Sequence, residues 1–232
     1  MRETTVTNRN PVPGCVEAPA YSDRWDLPLS PHIIAPEPPA ACGGRLAAVI
    51  STFGSPPVMV CTALLLTALK LSSSAAWKWA GIYLILGVLT PFLYVVWLLK
   101  RGYVTDIDVQ LRKQRAQPLL VTILCTGAAW LVLALGAAPT TMTLIATAIW
   151  LQVVVIFAVT LRWKISVQAA TVAGAMTVAW ALLGSPLPFL IAVPLVAWSR
   201  VRLRRHTLLQ TLAGVVLGLV IFWLVSTLAP SG

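Results

Sequence analysis

From residue 46 onward, the chain alternates between long apolar runs and short segments rich in arginine and lysine. A helix of about 20 apolar residues matches the hydrocarbon thickness of a bilayer, which is roughly 30 Å. Seven runs are predicted to be helices, at about 46–71, 77–99, 117–137, 141–161, 166–184, 187–199 and 207–228. Only 10% of the residues are charged, whereas a soluble domain carries about a quarter. The sequence therefore predicts an all-α, polytopic transmembrane bundle of six to seven helices.

Proline and glycine add detail to this prediction. The pair Pro56-Pro57 interrupts the first run, because proline breaks helical hydrogen bonding, and residues 46–54 are expected to lie along the membrane interface. The sixth run is short for a crossing and contains prolines, so we expect it to be kinked and packed inside the bundle. Gly214 and Gly218 form a GxxxG pattern, which is typical of closely packed helices. Gln152, in mid-helix, is expected to make an interhelical hydrogen bond.

Residues 1–43 differ in composition from the rest of the chain. They hold eight of the 17 prolines and a mixture of charges, which is typical of disordered segments. No apolar run follows the start, so a signal peptide is not predicted. We expect residues 1–43 to be a disordered Pro-rich tail and residues 44–232 to be the transmembrane domain.

The cations that follow residue 45 are concentrated in three loops. Eleven of the 13 lie between predicted helices two and three, four and five, and six and seven. Two helices separate each neighbouring pair of loops, so all three fall on one side of the membrane. The positive-inside rule makes this side cytoplasmic, together with the N-terminus. We expect an integral protein of a bacterial inner (plasma) membrane whose loop cations meet lipid headgroups or an anionic substrate rather than nucleic acid.

The basic loops also carry groups suited to phosphate chemistry. Arginine binds phosphoryl oxygens through paired hydrogen bonds, and His206, in the third loop, is a candidate nucleophile or acid-base group. The two histidines, His32 and His206, cannot form a multi-histidine metal site. We expect neither a metal nor a cofactor.

The third loop reads Ser199-Arg200, five residues, His206, three residues, Gln210, then Ala213-Gly214. This resembles the last signature of the type 2 phosphatidic acid phosphatase superfamily, in which Ser-Arg is followed at this spacing by His and Asp. The segment Arg112-Lys-Gln-Arg115-Ala-Gln-Pro118 is similar to the first signature of that family. Trp163-Lys-Ile-Ser166-Val-Gln168 is similar in position to its Ser-Gly-His signature.

The resemblance implies a phosphohydrolase that acts on a membrane lipid or isoprenoid phosphate. By this likeness His206 would attack phosphorus and form a phosphohistidine. Arg200, with Arg112 or Arg115, would hold the phosphoryl oxygens, and Gln168 would stand at the position of the leaving-group acid. The candidate substrate-binding residues from the three loops are Arg112, Lys113, Arg115, Lys164, Ser166 and Ser199.

The sequence departs from the family pattern at three points. Gln168 replaces the histidine that protonates the leaving group, and a glutamine cannot give up a proton. Gln210 replaces the aspartate that orients the nucleophile. Two helices separate the first and second signatures, which the family joins more directly. These departures favour a prenyl diphosphate, whose leaving group is less basic than an alkoxide, or else a catalytically inactive relative with a structural or lipid-binding role.

Two other classes fit the sequence less well. A prenyltransferase needs two aspartate clusters that hold Mg²⁺, and no acidic residue follows Asp106 and Asp108. A transporter usually carries ionisable groups within its helices, and the predicted helices hold few polar residues at mid-depth. A structural subunit of a membrane complex remains an alternative.

Overall fold

The computed structural model describes residues 44–105 and 112–227, apart from the side chains of residues 112 and 113. The predicted disordered tail and both acidic residues of the first basic loop, Asp106 and Asp108, lie outside the described residues. The same is true of the side chains of Arg112 and Lys113.

The described residues form an all-α bundle, which confirms the predicted fold class. The helices are α1 Gly44–Phe53, α2 Pro56–Leu71, α3 Ser74–Tyr83, α4 Thr90–Lys100, α5 Arg112–Leu135, α6 Thr140–Thr160, α7 Val167–Leu183, α8 Leu187–Arg202 and α9 Leu208–Thr227. A π-helical segment, Leu84–Leu89, joins α3 and α4 into one continuous rod. Each predicted run is found as a helix or a pair of helices, with ends within five residues of the prediction.

Length and composition mark the chain as an integral membrane protein. Within the described ranges, four helical segments are long and apolar enough to cross a bilayer, namely Ser74–Lys100, Gln114–Leu135, Thr140–Thr160 and Leu208–Thr227. Helices α1 and α2 together make a fifth candidate span, bent by 48° at the break between them. The bend falls at Gly54-Ser55, directly before the proline pair that predicted it.

Helix α7 lies at the centre of the bundle, packed against α2, α8 and α9. Residues 172–179 are all buried, and many residues of α7 are alanine or glycine, whose small side chains let neighbouring backbones approach. The expectation that residues 187–199 pack inside the bundle is wrong. Leu187, Leu190 and Ile191 of α8 are about 60% exposed, because these bulky side chains face the surroundings while α7 fills the interior.

Helix α9 packs directly on the backbone of α7 at the two glycines of the GxxxG pattern. A Cβ atom at Gly214 would lie 2.5 Å from the carbonyl oxygen of Ser166, and one at Gly218 would collide with the carbonyl oxygen of Ala170. The predicted close approach is therefore present. It brings the first turn of α9 against the first turn of α7, where two of the three basic loops end.

Candidate active site

Hydrogen bonds link the three basic turns at one end of the bundle. Arg115, in the first turns of α5, donates from Nη1 to the carbonyl oxygen of Ile165 over 3.2 Å. The backbone N–H of Ser166 donates to the carbonyl oxygen of Gln210 over 3.2 Å. The turn before α7 is thus tied both to the start of α5 and to the start of α9, and residues far apart in sequence share one site.

His206 is buried within this cluster of cations, with only 6% of its surface exposed. Burial and, after it, the positive charges of Arg200, Arg115 and Lys164 together lower the pKa of its imidazole to about 3, and the hydrogen bond to Gln210 acts in the opposite direction. A buried imidazolium among three cations is unfavourable on both counts. The ring is therefore neutral at physiological pH.

Gln210 fixes the tautomer of this neutral ring. The Oε1 atom of Gln210 accepts a hydrogen bond from the backbone N–H of Thr207 over 3.2 Å and lies 3.3 Å from Nδ1 of His206. Because the Thr207 amide can only donate, the group facing it is the amide oxygen, so Nδ1 of the imidazole must be the protonated nitrogen. Nε2 of His206 then carries the lone pair.

Lys164 lies at the edge of the same cluster and is half-buried. Burial lowers the pKa of its ammonium group, and the nearby Arg115 and Arg200 lower it further. All three basic loops therefore contribute to one cluster of positive charge, in which Arg115 and Arg200 lower the pKa values of both Lys164 and His206. An anion that entered this cluster would relieve the repulsion.

Arg200 and Gln168 are joined through a residue that the sequence analysis missed. Nη1 of Arg200 donates to Oγ of Ser51 over 2.9 Å. Oγ of Ser51 donates to Oε1 of Gln168 over 3.5 Å, and Nε2 of Gln168 donates to the carbonyl oxygen of Ser51. All three residues are buried. The only sequence signal for Ser51 is its four-residue spacing from Ala47, which puts both on the inner face of α1.

The two predicted serines have local partners instead of facing a ligand. Ser166 is the N-cap of α7, and its Oγ accepts from the backbone N–H of Ala169 over 3.3 Å. Oγ of Ser199 donates to the carbonyl oxygen of Val196 over 2.7 Å. Both are fully buried, and neither belongs to the wall of the cavity below. Each hydroxyl shapes the backbone beside Gln168 or Arg200, and the role of both serines in substrate binding stays a prediction.

A cavity of about 670 Å³ begins at the cation cluster and extends into the bundle. The polar groups of its lining at the cation cluster include Ser51, Arg115, Gln168, Arg200, Arg205 and His206. Its interior is mostly apolar and includes Gly87, Ile149, Ala175 and Phe222. Along α5 the lining runs from Arg115 to Thr126, which is about 16 Å of helix. The cavity is therefore cationic at one end and mostly apolar at the other.

The π-helical segment contributes to the inner wall of this cavity. Pro91 has no N–H and would clash with a carbonyl one turn earlier in a regular helix, and the wider turns at Leu84–Leu89 accommodate it. The backbone N–H and Oγ1 of Thr90 both donate to the carbonyl oxygen of Ile85, five residues earlier. Gly87 and Val88 of this segment line the cavity. Such π segments are frequent at functional sites.

Gln152 lines the same cavity but does not make the interhelical hydrogen bond that the sequence predicted. Its Nε2 atom has no hydrogen-bond partner within the described part of the chain. The side chain is 4% exposed, and its amide oxygen lies beside Gly174 of α7. Gly174 has no side chain, so it leaves space for the amide group of Gln152 but provides no polar side chain to bond with it.

Comparisons of the chain with protein-family models, curated proteins and solved structures found no match. Among the residues that the structure describes, no three His, Cys, Asp or Glu side chains lie together. The site consists of two buried guanidinium groups, one ammonium group and one neutral imidazole beside an apolar cavity.

Proposed function

We propose that this chain is a membrane-embedded phosphohydrolase of the phosphatidic acid phosphatase type. Its substrate would be a lipid phosphate or prenyl diphosphate, and His206 would be its nucleophile. The supporting observation is the neutral, tautomer-fixed imidazole of His206 beside Arg200, Arg115 and Lys164. His206, Arg200 and Arg115 line the 670 Å³ cavity where it begins, so the headgroup would lie among the cations and the chain would extend into the bundle.

The reaction follows from this placement. Nε2 of His206 attacks phosphorus, the bond between phosphorus and the leaving oxygen breaks, and a phosphohistidine forms. Water then attacks that phosphorus, the P–N bond breaks, inorganic phosphate leaves, and the imidazole is regenerated. Arg200, Arg115 and Lys164 stabilise the charge on the phosphoryl oxygens throughout, which is the main catalytic effect in phosphoryl transfer.

Gln168 and Gln210 define which leaving group this site suits. Gln168 is hydrogen-bonded to Ser51 and has no proton to transfer, so the departing group must leave as an anion or take a proton from water. A phosphate-type leaving group does so more readily than an alkoxide. The site therefore favours prenyl diphosphates over phosphatidic acid. Gln210 holds the ring through Nδ1 but lacks the charge that would stabilise the phosphorylated imidazole.

A catalytically inactive, lipid-binding relative is the second candidate. It is favoured by the two glutamines, because loss of a general acid costs about 10²–10⁴-fold in rate. In that case the cations would still bind a phosphate headgroup, and the apolar cavity would still hold the hydrocarbon chain of the lipid. The two candidates differ only in turnover.

The orientation of the site is part of the proposal. Positive charge concentrated on one side favours a cytoplasmic site and a cytoplasmic N-terminus in a bacterial plasma membrane. Single cysteines introduced at the exposed residues Tyr103, Trp163 and Val201 would report the side. We expect all three to be labelled by a membrane-impermeant thiol reagent only after the cytoplasmic face is opened. Labelling of these cysteines in intact cells would show that the basic loops face the outside of the cell.

The decisive assay is phosphate release by the detergent-solubilised protein from phosphatidic acid and from a prenyl diphosphate. We expect release from the diphosphate, loss of release in H206Q, and normal release in R204Q. Arg204 is exposed in the same turn, which makes it a matched control. Absence of release from both substrates would reject the hydrolase and leave the lipid-binding candidate.

A further inference from the structure

Ser51 lies outside the three basic turns and contacts two of the proposed active-site side chains. Its hydroxyl accepts from Nη1 of Arg200 over 2.9 Å and lies 3.5 Å from Oε1 of Gln168. Its carbonyl oxygen accepts from Nε2 of Gln168. Ser51 is 6% exposed, and Arg200 and Gln168 are 2% and 4% exposed. These bonds are shielded from water. A hydrogen bond from a charged donor is stronger in the protein interior than in water.

Helix α1 is held in place on both of its faces, and this fixes Ser51. Ala47 and Ser51 are buried on the inner face. Leu46, Val49 and Phe53 form an outer apolar stripe, each more than half exposed, which is suited to the lipid interface. The helix therefore has an inner partner in the protein and an outer partner in the bilayer.

Gly54 allows the end of α1 to come this close. A Cβ atom there would lie 2.7 Å from Cγ2 of Val196 on α8 and 3.2 Å from Nε2 of Gln168 on α7. The backbone N–H of Gly54 still bonds to the carbonyl oxygen of Ile50 over 2.9 Å, so the joint is ordered. The close approach at Gly54 thus places Ser51 in a defined position beside the side chains of Arg200 and Gln168.

We propose that Ser51 is a positioning residue for Arg200, an inference that rests on the proposed function. Arg200 presents a planar fork of donors, and the bond from Nη1 to Ser51 sets the rotation of that plane. Paired hydrogen bonds to phosphoryl oxygens require the plane to face them. Ser51 itself does not touch phosphorus. It acts through Arg200 and holds the amide group of Gln168 in one orientation.

The test is a double-mutant cycle on phosphate release. In S51A the hydroxyl is lost while the carbonyl that holds Gln168 remains. We expect kcat/KM to fall roughly tenfold to hundredfold, mostly through kcat, because misplacement of a catalytic group acts mainly on the transition state. In an R200K background, which lacks the planar fork, S51A should cause less than a twofold further loss. S51T should keep most of the wild-type activity, and T62V, which removes a hydroxyl from the adjoining helix α2, should match the wild type.

The outcomes separate this inference from the proposed function. If H206Q and R200K lose activity while S51A matches the wild type, or if S51A and R200K losses multiply, positioning by Ser51 is rejected and the hydrolase stands. If no variant or wild type releases phosphate, binding of a non-hydrolysable prenyl phosphonate replaces turnover as the readout. Binding that weakens in S51A but not T62V retains the positioning role without catalysis, whereas no binding by the wild type rejects both proposals.

Discussion

At the scale of single residues, the distinctive feature is a histidine kept neutral by its surroundings. Most histidines titrate near neutrality, but His206 is buried among three cations, which lowers its pKa to about 3. Gln210 keeps the proton on Nδ1. A nucleophilic nitrogen is consequently available without prior deprotonation. The same burial has a cost to stability that depends on pH.

The stability of the protein should therefore decrease in acid because of His206. Its pKa is about 3 when folded, against an ordinary value of 6.5, so the unfolded chain binds a proton that the folded chain excludes. The penalty is absent above pH 6.5 and grows by about 1.4 kcal/mol per pH unit as the pH falls toward 3. Thermal unfolding in detergent at pH 7 and pH 5 should show a smaller acid loss in H206Q.

His32 provides the matched control for this measurement, since it is the other histidine of the chain. H32Q should keep the full acid sensitivity of the wild type. It also leaves one imidazole for nitrogen NMR, which should report a neutral Nδ1–H ring for His206 down to about pH 4. A midpoint near 6.5 for that ring would contradict the buried cationic cluster.

At the scale of helices, the position of α9 on α7 decides whether the site exists. Gly214 and Gly218 meet the backbone of α7 without intervening side chains, and this contact places Gln210 against Ser166. The GxxxG spacing predicted a close contact, but it did not identify the partner helix. The central place of α7 was also missed, because the hydropathy of a helix does not tell whether its apolar faces meet lipid or other helices.

Replacing Gly218 with alanine should separate α9 from α7. The new Cβ would collide with the carbonyl oxygen of Ala170, which is backbone and cannot swing away, and overpacking of this kind costs about 1–3 kcal/mol. We expect a lower unfolding temperature in detergent and loss of phosphate release. G81A is the control, because a Cβ at Gly81 meets nothing within 4 Å. Equal unfolding temperatures for the two variants would contradict the packing of α9 on α7.

At the scale of the whole molecule, three loops and one buried chamber combine into an amphiphilic site. Loop parity alone predicted that the basic turns would share one end, and the contacts among Arg115, Ile165, Ser166 and Gln210 bear this out. The chamber was not predictable, because it depends on the π-helical segment and on which small residues face inward. Ser51 was missed for the same reason, since its partners lie 117 and 149 residues away.

Filling the chamber should discriminate between substrates by chain length. Ala175 lines the cavity and is 3% exposed, so A175L should raise KM for a long-chain prenyl diphosphate by about tenfold, the effect of roughly 1.4 kcal/mol of lost binding. A short-chain diphosphate should be unaffected. A128L introduces the same side chain at an exposed site on α5 and should change neither KM. An equal loss for both chain lengths would mean that the chain does not occupy this chamber.

The central claim is that His206 becomes covalently phosphorylated during turnover. The most direct measurement is rapid denaturation of the protein during reaction with a prenyl diphosphate labelled with ³²P at its terminal phosphate. The label should be retained on the chain in a form that is stable to base and labile to acid, and it should be absent from H206Q while remaining in R204Q. Phosphate release without any protein-bound label, or a label that persists in H206Q, would contradict the account.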